Sequence, residues 1–468
     1  MQLNKQDLIQ CLDSNLIEIK GNFSVSNYSI DTRGLQTGDT FVALFGVNDG
    51  HNYLNEAISR GALALIISQE FYLKNSIDFQ NLIIVKDTLK ALSDISNFNG
   101  EKFKSLGGKL IGITGSVGKT TLKEMLSFIL SQDNIVSATL GNFNNHIGLP
   151  LSLAQVNEKA SFGVFEMGMS SLGEISHLSK ILKPQMAVIT EIAEAHSEFF
   201  VPTQNSSSLD QIAQAKAEIL DGMENNSIIF LNKDNDYFES IKTQAFKKDI
   251  VVYSFSQNNI EADIYVKSTD FKNYSMQVVA CVFGEEIIYN IKSIAQHNAM
   301  ISSLAFGIAK KLGVGITTAL ANFVNFSIPK GRGEISELFF KEQKIILIDD
   351  SYNANPKSMS SAILALKNVE ASKILVLGDM LELGTNEIAE HKKLKEQIDQ
   401  LSNIKEIILV GNLMEHLYSE IKEFPVKHFN DTQKASDYLG ANIKENDLVF
   451  IKGSLGSAVH KISNYLQS

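Results

Sequence analysis

The segment Gly115-Ser-Val-Gly118-Lys119-Thr120-Thr121 places two glycines, a lysine and two threonines where they could hold phosphate. Glycines let backbone N–H groups converge on phosphate oxygens without interference from Cβ. At this spacing Lys119 would reach the outer phosphates of a nucleoside triphosphate, and the Thr120 hydroxyl would ligate Mg²⁺. Gly115, Ser116, Val117, Gly118 and Thr121 complete the expected cradle. An apolar run, Leu110–Ile113, reads as a buried strand before it, and the residues after Thr121 read as a helix. That order aims a helix N-terminus, with its unpaired N–H groups and positive dipole end, at the same anion. The strict pattern G-x4-G-K-[ST] wants glycine where this chain has Ile113, so the loop is a shorter GxxGKTT variant.

Two further groups stand at strand ends. The apolar run Phe162-Gly-Val-Phe-Glu166 ends in a carboxylate, and Met186-Ala-Val-Ile-Thr190 runs into Glu191-Ile-Ala-Glu-Ala-His196. Open α/β sheets bind ligands at the carboxyl ends of their strands. Triphosphate, Glu166 and His196 would therefore meet at one sheet edge, where Mg²⁺ bridging phosphate oxygens and supplemented by Glu166 is ordinary chemistry. Taken singly, a strand-end glutamate is as readily a helix cap, and a histidine a structural or surface residue. Lys216 sits in the amphipathic stretch Leu209–Leu220 and reads by composition as a solvated lysine.

The elements that must position these residues fall into three blocks. Residues 1–105 hold short strands at Thr40–Phe45, Ala62–Ile67 and Asn81–Val85, a polar helix at Thr88–Asn97, and a Gly/Lys-rich link at Gly100–Lys109. Residues 106–328 alternate strands (Leu110–Thr114, Phe162–Glu166, Met186–Thr190, Ser227–Leu231) with helices, the pattern of a mostly parallel, helix-covered sheet. From about Ile250 to Ile291 short alternating strands read as an antiparallel appendage, followed by a helix from His297 to Leu312. Residues 329–468, beginning at Pro329-Lys-Gly-Arg-Gly333, carry strands Lys344–Asp349, Lys373–Leu377, Glu406–Val410 and Asp447–Ile451 between helices, a doubly wound, Rossmann-like α/β domain. Thr203–Leu209 reads as a polar loop.

The 468 residues suffice for about three domains. Their 44% hydrophobic content supports packed cores, and no apolar run reaches the roughly 18 residues of a membrane span. The N-terminus lacks the layout of a signal peptide. Two cysteines are too few for a disulfide framework or zinc site, so a reducing cytoplasm is expected. A net charge of −11 argues against non-specific nucleic-acid binding. Arg33, Arg60 and Arg332 are the only arginines among 42 basic residues, and only arginine offers a rigid, always-charged fork for phosphates.

Taken together the motifs resemble the Mur ligases, the ATP-dependent enzymes that build the peptide stem of bacterial peptidoglycan. The likeness runs nearly end to end. It includes Asp31-Thr-Arg33, Gly38–Gly46, Asp49-Gly-His51, Gly112–Thr121 and Gly141-Asn-Phe-Asn-Asn-His-Ile-Gly-Leu-Pro150. It continues through Glu166-Met-Gly-Met-Ser170, Ala195-His196, Ala215-Lys216-Ala-Glu-Ile219 and Gly331-Arg332-Gly333. Asp349-Asp-Ser-Tyr-Asn-Ala-Asn-Pro-Lys-Ser-Met359 and Leu377-Gly-Asp-Met-Leu-Glu-Leu-Gly384 resemble the branch that joins D-alanyl-D-alanine to UDP-N-acetylmuramoyl-tripeptide.

The resemblance implies three domains: the first binds the UDP substrate, the second ATP, and the third closes with the amine substrate. It implies that Lys119 and the loop hold the β- and γ-phosphates, that Thr120 and Glu166 serve one Mg²⁺ and His196 a second, and that Lys216 carries a carbamate. Arg332 would touch the ATP phosphates and Asp350 the nucleoside, and Asn298 would also serve ATP. Asp31, Thr32, Arg33, Gly46, Asn144 and Asn145 would face the UDP substrate. A monomer with small-molecule partners, and no nucleic acid, is expected.

Three positions depart from the family pattern. Ile301 replaces a usual asparagine near the adenine, Leu455 follows Lys452-Gly-Ser454 where arginine is common, and the His196–Lys216 spacing is long. Two other readings fit the motifs: a ligase of the same family adding a single amino acid or acting on another acid, and a non-catalytic nucleotide-binding relative.

Overall fold

The computed structural model describes residues 1–46, 48–193, 200 and 206–468. His196 and Thr203–Asn205 lie outside the described residues. The strands form three sheets. The first contains β1 (Leu16–Lys20), β2 (Tyr28–Ser29), β3 (Thr40–Val42), β4 (Ala64–Ser68) and β5 (Leu82–Val85), in the order β1-β5-β4-β3-β2. Only the β1–β5 pairing is antiparallel.

The middle sheet contains β6 (Lys109–Thr114), β7 (Val136–Ala138), β8 (Phe162–Glu166), β9 (Met186–Ile189), β10 (Ile228–Asn232), β11 (Val251–Ser256), β12 (Ile264–Lys272), β13 (Ser275–Val282) and β14 (Glu285–Ile291). Their order is β14-β13-β12-β11-β10-β9-β6-β8-β7. β6 therefore has β8 on one side and β9 on the other, both parallel to it. The chain reverses its direction of travel across the sheet at β6, and the crevice at such a switch point is where an open α/β sheet takes its ligand. The antiparallel pairing expected from residue 250 onward begins only at β12–β13. β11 runs parallel to β10 and meets β12, also parallel, at two registered pairs. The antiparallel hairpins thus extend the parallel sheet.

The third sheet contains β15 (Glu334–Phe340), β16 (Gln343–Asp350), β17 (Lys373–Gly378), β18 (Ile404–Val410), β19 (Val426–Phe429) and β20 (Leu448–Lys452), ordered β15-β16-β20-β17-β18-β19. All its pairings are parallel except β15–β16. β1, β2, β7, β15 and β19 were not legible as strands: β1 is part-buried or exposed throughout, and β2 is two residues long. β7 and β19 are short and only part-buried, and β15 mixes charged residues among its apolar ones.

The expected link at Gly100–Lys109 is instead mostly helical. The helix that starts at Thr88 continues to Ser105. Ala91, Leu92 and Ile95 pack in the first core, while Phe103 packs in the middle one. Asn99 Nδ2 donates to Ala154 O at 2.7 Å and Ser96 Oγ to Pro150 O at 3.0 Å. Burying Leu92, Ile95 and Phe103 is worth about 1.5–3 kcal/mol each. That outweighs the ~1 kcal/mol that Gly100 costs in a helix interior. One rigid helix therefore joins the first sheet to the second. Among the described residues, no helix is long and apolar enough to cross a membrane.

Candidate active site

β6 is buried from Leu110 to Thr114, and its chain emerges at the switch point as Gly115–Gly118. Three bonds fasten the loop to the end of β9: Ser116 N to Glu191 O at 2.8 Å, Ser116 Oγ to Ala193 O at 2.8 Å, and Thr190 Oγ1 to Val117 O at 2.6 Å. Gly115 has φ +147°, and a Cβ there would lie 2.0 Å from Thr190 Oγ1. Gly115→Ala is therefore expected to push the loop off β9 and weaken nucleotide binding at least about tenfold. Calorimetric titration with ATP would check this. Gly118 (φ +88°) caps the helix Lys119–Ser131, whose N-terminus faces the crevice.

Lys119, half-buried, curls back so that Nζ donates to Gly115 O at 2.5 Å. Burial lowers its pKa to about 8, with Glu166 opposing the shift and Arg332 adding to it. Thr120 Oγ1 donates to Glu166 Oε2 at 3.2 Å and receives Arg332 Nη2 at 2.9 Å. Glu166 is fully buried at the end of β8, with its N–H on Thr139 Oγ1 at 2.7 Å. Among the described residues, its Oε1 has no hydrogen-bond partner. Thr121 is buried on the helix's first turn.

Lys216 corrects the reading from composition. It lies near the end of the helix Ser208–Ala217, and only 2% of its surface is exposed. Burial, reinforced by the charge of Lys119 and opposed by Glu218, holds its amine well below the ordinary lysine value. The sequence missed this because the helix also packs Ile212, Ala213, Ala215 and Ala217, so the face carrying Lys216 is turned inward.

The third sheet reaches the same crevice. The turn before β15 is held to the end of β16 by Gly333 N to Asp349 O at 2.8 Å and Tyr352 N to Gly331 O at 3.0 Å. It carries Arg332, whose guanidinium carbon lies 3.8 Å from the centre of the Tyr352 ring. Asp350 accepts from Lys452 Nζ at 2.7 Å, and burial raises its pKa against the pull of Lys452 and Arg332.

These residues enclose a cavity of about 470 Å³. Ser116, Val117, Gly118, Lys119, Thr120, Thr121 and Lys216 line it from the middle domain, Asn144 and Asn145 from the loop after β7, and Arg332 and Asp350 from the third. Gly115 and Glu166 lie immediately beneath. A neighbouring chamber of about 200 Å³ shares Ser116 and Tyr352–Asn355 with it and is closed by Leu381, Leu383 and Leu455. Leu455 thus supplies an apolar wall there. A larger groove of about 1110 Å³, beside the helix Thr88–Ser105, carries none of the motif residues.

Other expected residues fall elsewhere. His297 lines the main cavity, whereas Asn298 is buried behind it, with Nδ2 on Ser293 Oγ at 2.9 Å and Oδ1 without a partner among the described residues. Ile301 is buried in the middle core, its Cδ1 3.1 Å from where a Gly118 Cβ would sit, so it supports the loop from below. Asp31, Thr32, Arg33 and Gly46 do not line the cavity. Asp31 and Arg33 form an exposed ion pair at 2.6 Å, Asp31 also caps the turn Thr32–Gly34, and Thr32 is buried. Sequence reasoning missed Thr190, Thr139 and Lys123. The lysine had a signal: it stands one helical turn after Lys119, on the same face.

The geometry can bind a polyphosphate on Lys119, Arg332 and the helix N-terminus, with a second reactant in the adjoining chamber. The Mur ligase middle domain matches residues 113–309, and the Mur ligase, glutamate ligase domain matches residues 331–455. The UDP-N-acetylmuramoyl-tripeptide--D-alanyl-D-alanine ligase of Rickettsia prowazekii is 33% identical over 455 residues, covering 96% of this chain and 97% of that one. The protein of the same name from Haemophilus influenzae is 32% identical over 480 residues, covering 100% and 98%. The crystal structure of MurF from Acinetobacter baumannii superposes with a TM-score of 0.86 at 25% identity, covering 100% of this chain and 99% of that one. With that sequence likeness along its whole length and a phosphate loop facing Arg332 across one cavity, the chain belongs to the Mur ligase family.

Proposed function

We propose that this protein joins D-alanyl-D-alanine to UDP-N-acetylmuramoyl-tripeptide with hydrolysis of ATP to ADP and phosphate, in the cytoplasm, as a monomer. The observation that carries the reading is the shared cavity: a phosphate loop from one sheet faces Arg332 and Asp350 from another, beside a small chamber with an apolar wall. The tripeptide's terminal carboxylate oxygen attacks the γ-phosphorus and ADP leaves, giving an acyl phosphate. The dipeptide's amine then attacks the acyl carbon, phosphate leaves, and the nitrogen loses a proton to give the amide.

Lys119 and Arg332 offset the charge that spreads over the transferred phosphoryl group. The domain interface keeps water from the acyl phosphate. The dipeptide's methyl groups suit the chamber walled by Leu381, Leu383 and Leu455. Asp350 serves the nucleoside side, with Asn298 behind His297 as a support, and Asp31, Thr32, Arg33, Gly46, Asn144 and Asn145 the UDP substrate. Residues 1–105, 106–328 and 329–468 divide these tasks.

Mg²⁺ fits the donors present. Thr120 Oγ1 and Oε2 of the buried Glu166 carboxylate, 3.2 Å apart, are hard oxygen ligands beside the phosphate site. When bound, the ion would neutralise phosphate charge. A second ion would be held by His196 and by Lys216 as a carbamate. The low pKa of Lys216 favours that group, because a neutral amine can take up CO₂ and release a proton to become an anionic oxygen ligand.

The third domain closes about residues 325–333. Its links to the middle domain include Arg332–Thr120 and the ion pair Lys357–Glu191 at 3.0 Å. Lys357 is 54% exposed, and such a pair contributes only about 0–1 kcal/mol, so opening costs little.

Phosphate release by the purified protein tests the reading. Activity is expected with D-alanyl-D-alanine and one of the two tripeptides, ending in lysine or diaminopimelate. Activity with L-lysine or D-glutamate as the amine, on a shorter acceptor, would point to a different ligase of the family. ATP binding without substrate-dependent ADP formation would point to a non-catalytic relative.

A further inference from the structure

Lys123 is buried, with a side chain only 4% exposed, on the helix that follows the phosphate loop. Its Nζ lies 2.8 Å from Glu124 Oε1, 3.3 Å from Thr139 O, 3.4 Å from Gly141 O and 3.7 Å from Glu166 Oε1. Burying an ammonium is unfavourable unless it is paired. The two oxygens of Glu166 therefore differ. Oε2 meets the Thr120 hydroxyl at the cavity floor, while Oε1 makes no hydrogen bond among the described residues and faces the Lys123 charge. Thr139 closes the network, because its carbonyl accepts from Lys123 and its hydroxyl accepts the Glu166 N–H.

We propose that Lys123 is a positioning residue that reserves one oxygen of Glu166 for the cation and so biases the site toward Mg²⁺ over larger ions. Mg²⁺ takes single oxygens in an octahedral shell, whereas Ca²⁺ readily accepts both oxygens of a carboxylate. A cation held at Oε1 leaves only the first mode open. The inference rests on the reading that Glu166 serves a divalent ion. Lys123 is tied to Thr139 and Gly141, so it stays beside Glu166.

The test is Mn²⁺ binding, followed by electron paramagnetic resonance with a non-hydrolysable ATP analogue present and displaced by Mg²⁺ or Ca²⁺. In Lys123→Met the strength of Ca²⁺ relative to Mg²⁺ is expected to rise about tenfold, the usual scale for losing a partner of a metal ligand. Lys123→Arg should largely retain the wild-type ratio. Glu124→Gln, at a half-exposed position, frees the ammonium to close on Glu166 and should weaken all three ions about threefold. A folded Lys123→Met protein with an unchanged ratio, or with equal loss of every ion, overturns the proposal. If that variant does not fold, unchanged Mn²⁺ affinity in Glu124→Gln overturns it instead. Wild-type protein that binds no Mn²⁺ with nucleotide would remove the Glu166 reading itself, and the proposal with it.

Discussion

Lys119→Ala is expected to lower ADP formation at least about a thousandfold, roughly 4 kcal/mol of transition-state stabilisation. The ammonium lies beside the loop, hydrogen-bonded to Gly115 O, and a phosphate in the crevice would compete with that carbonyl for it. Its pKa of about 8 reflects burial that a bound polyanion would offset. The fold should survive, because the loop is fastened to β9 by Ser116 and Thr190, with no contribution from this side chain. Steady-state phosphate release together with thermal melting checks both halves. A variant that melts normally and still turns over within tenfold of wild type would sink the assignment of the phosphate loop.

Lys216→Ala is expected to lose about two to three orders of magnitude in kcat and to recover part of it when a short carboxylic acid such as formate is added. The side chain is 2% exposed and disfavours its charged form, yet it lines the cavity with Lys119 and Arg332. As an ammonium it would add a third cation beside Lys119 and Arg332. As a carbamate it would supply the anion that a metal beside them requires. Rescue distinguishes the two roles, since a lost ammonium is restored by amines and a lost carbamate by carboxylates. Full activity in the alanine variant would remove the carbamate.

Much of the site was legible because its chemistry is local. Gly115–Thr121 needs only a strand, two glycines and a helix start in order, and those are neighbours in sequence. Glu166 was placed by the end of an apolar run. Lys216 was not, because its burial depends on which face of the helix Ser208–Ala217 is covered, and that is set by segments far away in sequence. Lys123 was hidden for the same reason: a lysine in an amphipathic helix looks solvated until Thr139, Gly141 and Glu166 surround it. The helix through Gly100–Ser105 was missed because propensity weighs each residue alone. Packing across two cores overrode the glycine.

By itself the sequence determined the α/β class, the phosphate loop and, through Asp349–Met359 and Leu377–Gly384, the resemblance that names the substrates. These are matters of order along the chain, where short-range geometry decides. Only the tertiary structure decided that β6 sits at the switch point between β8 and β9, that Arg332 crosses from the third domain to Thr120, and that Ile301 braces Gly118. Contacts of this kind join residues up to about two hundred positions apart. They exist because packing buries apolar faces that no local pattern can pair.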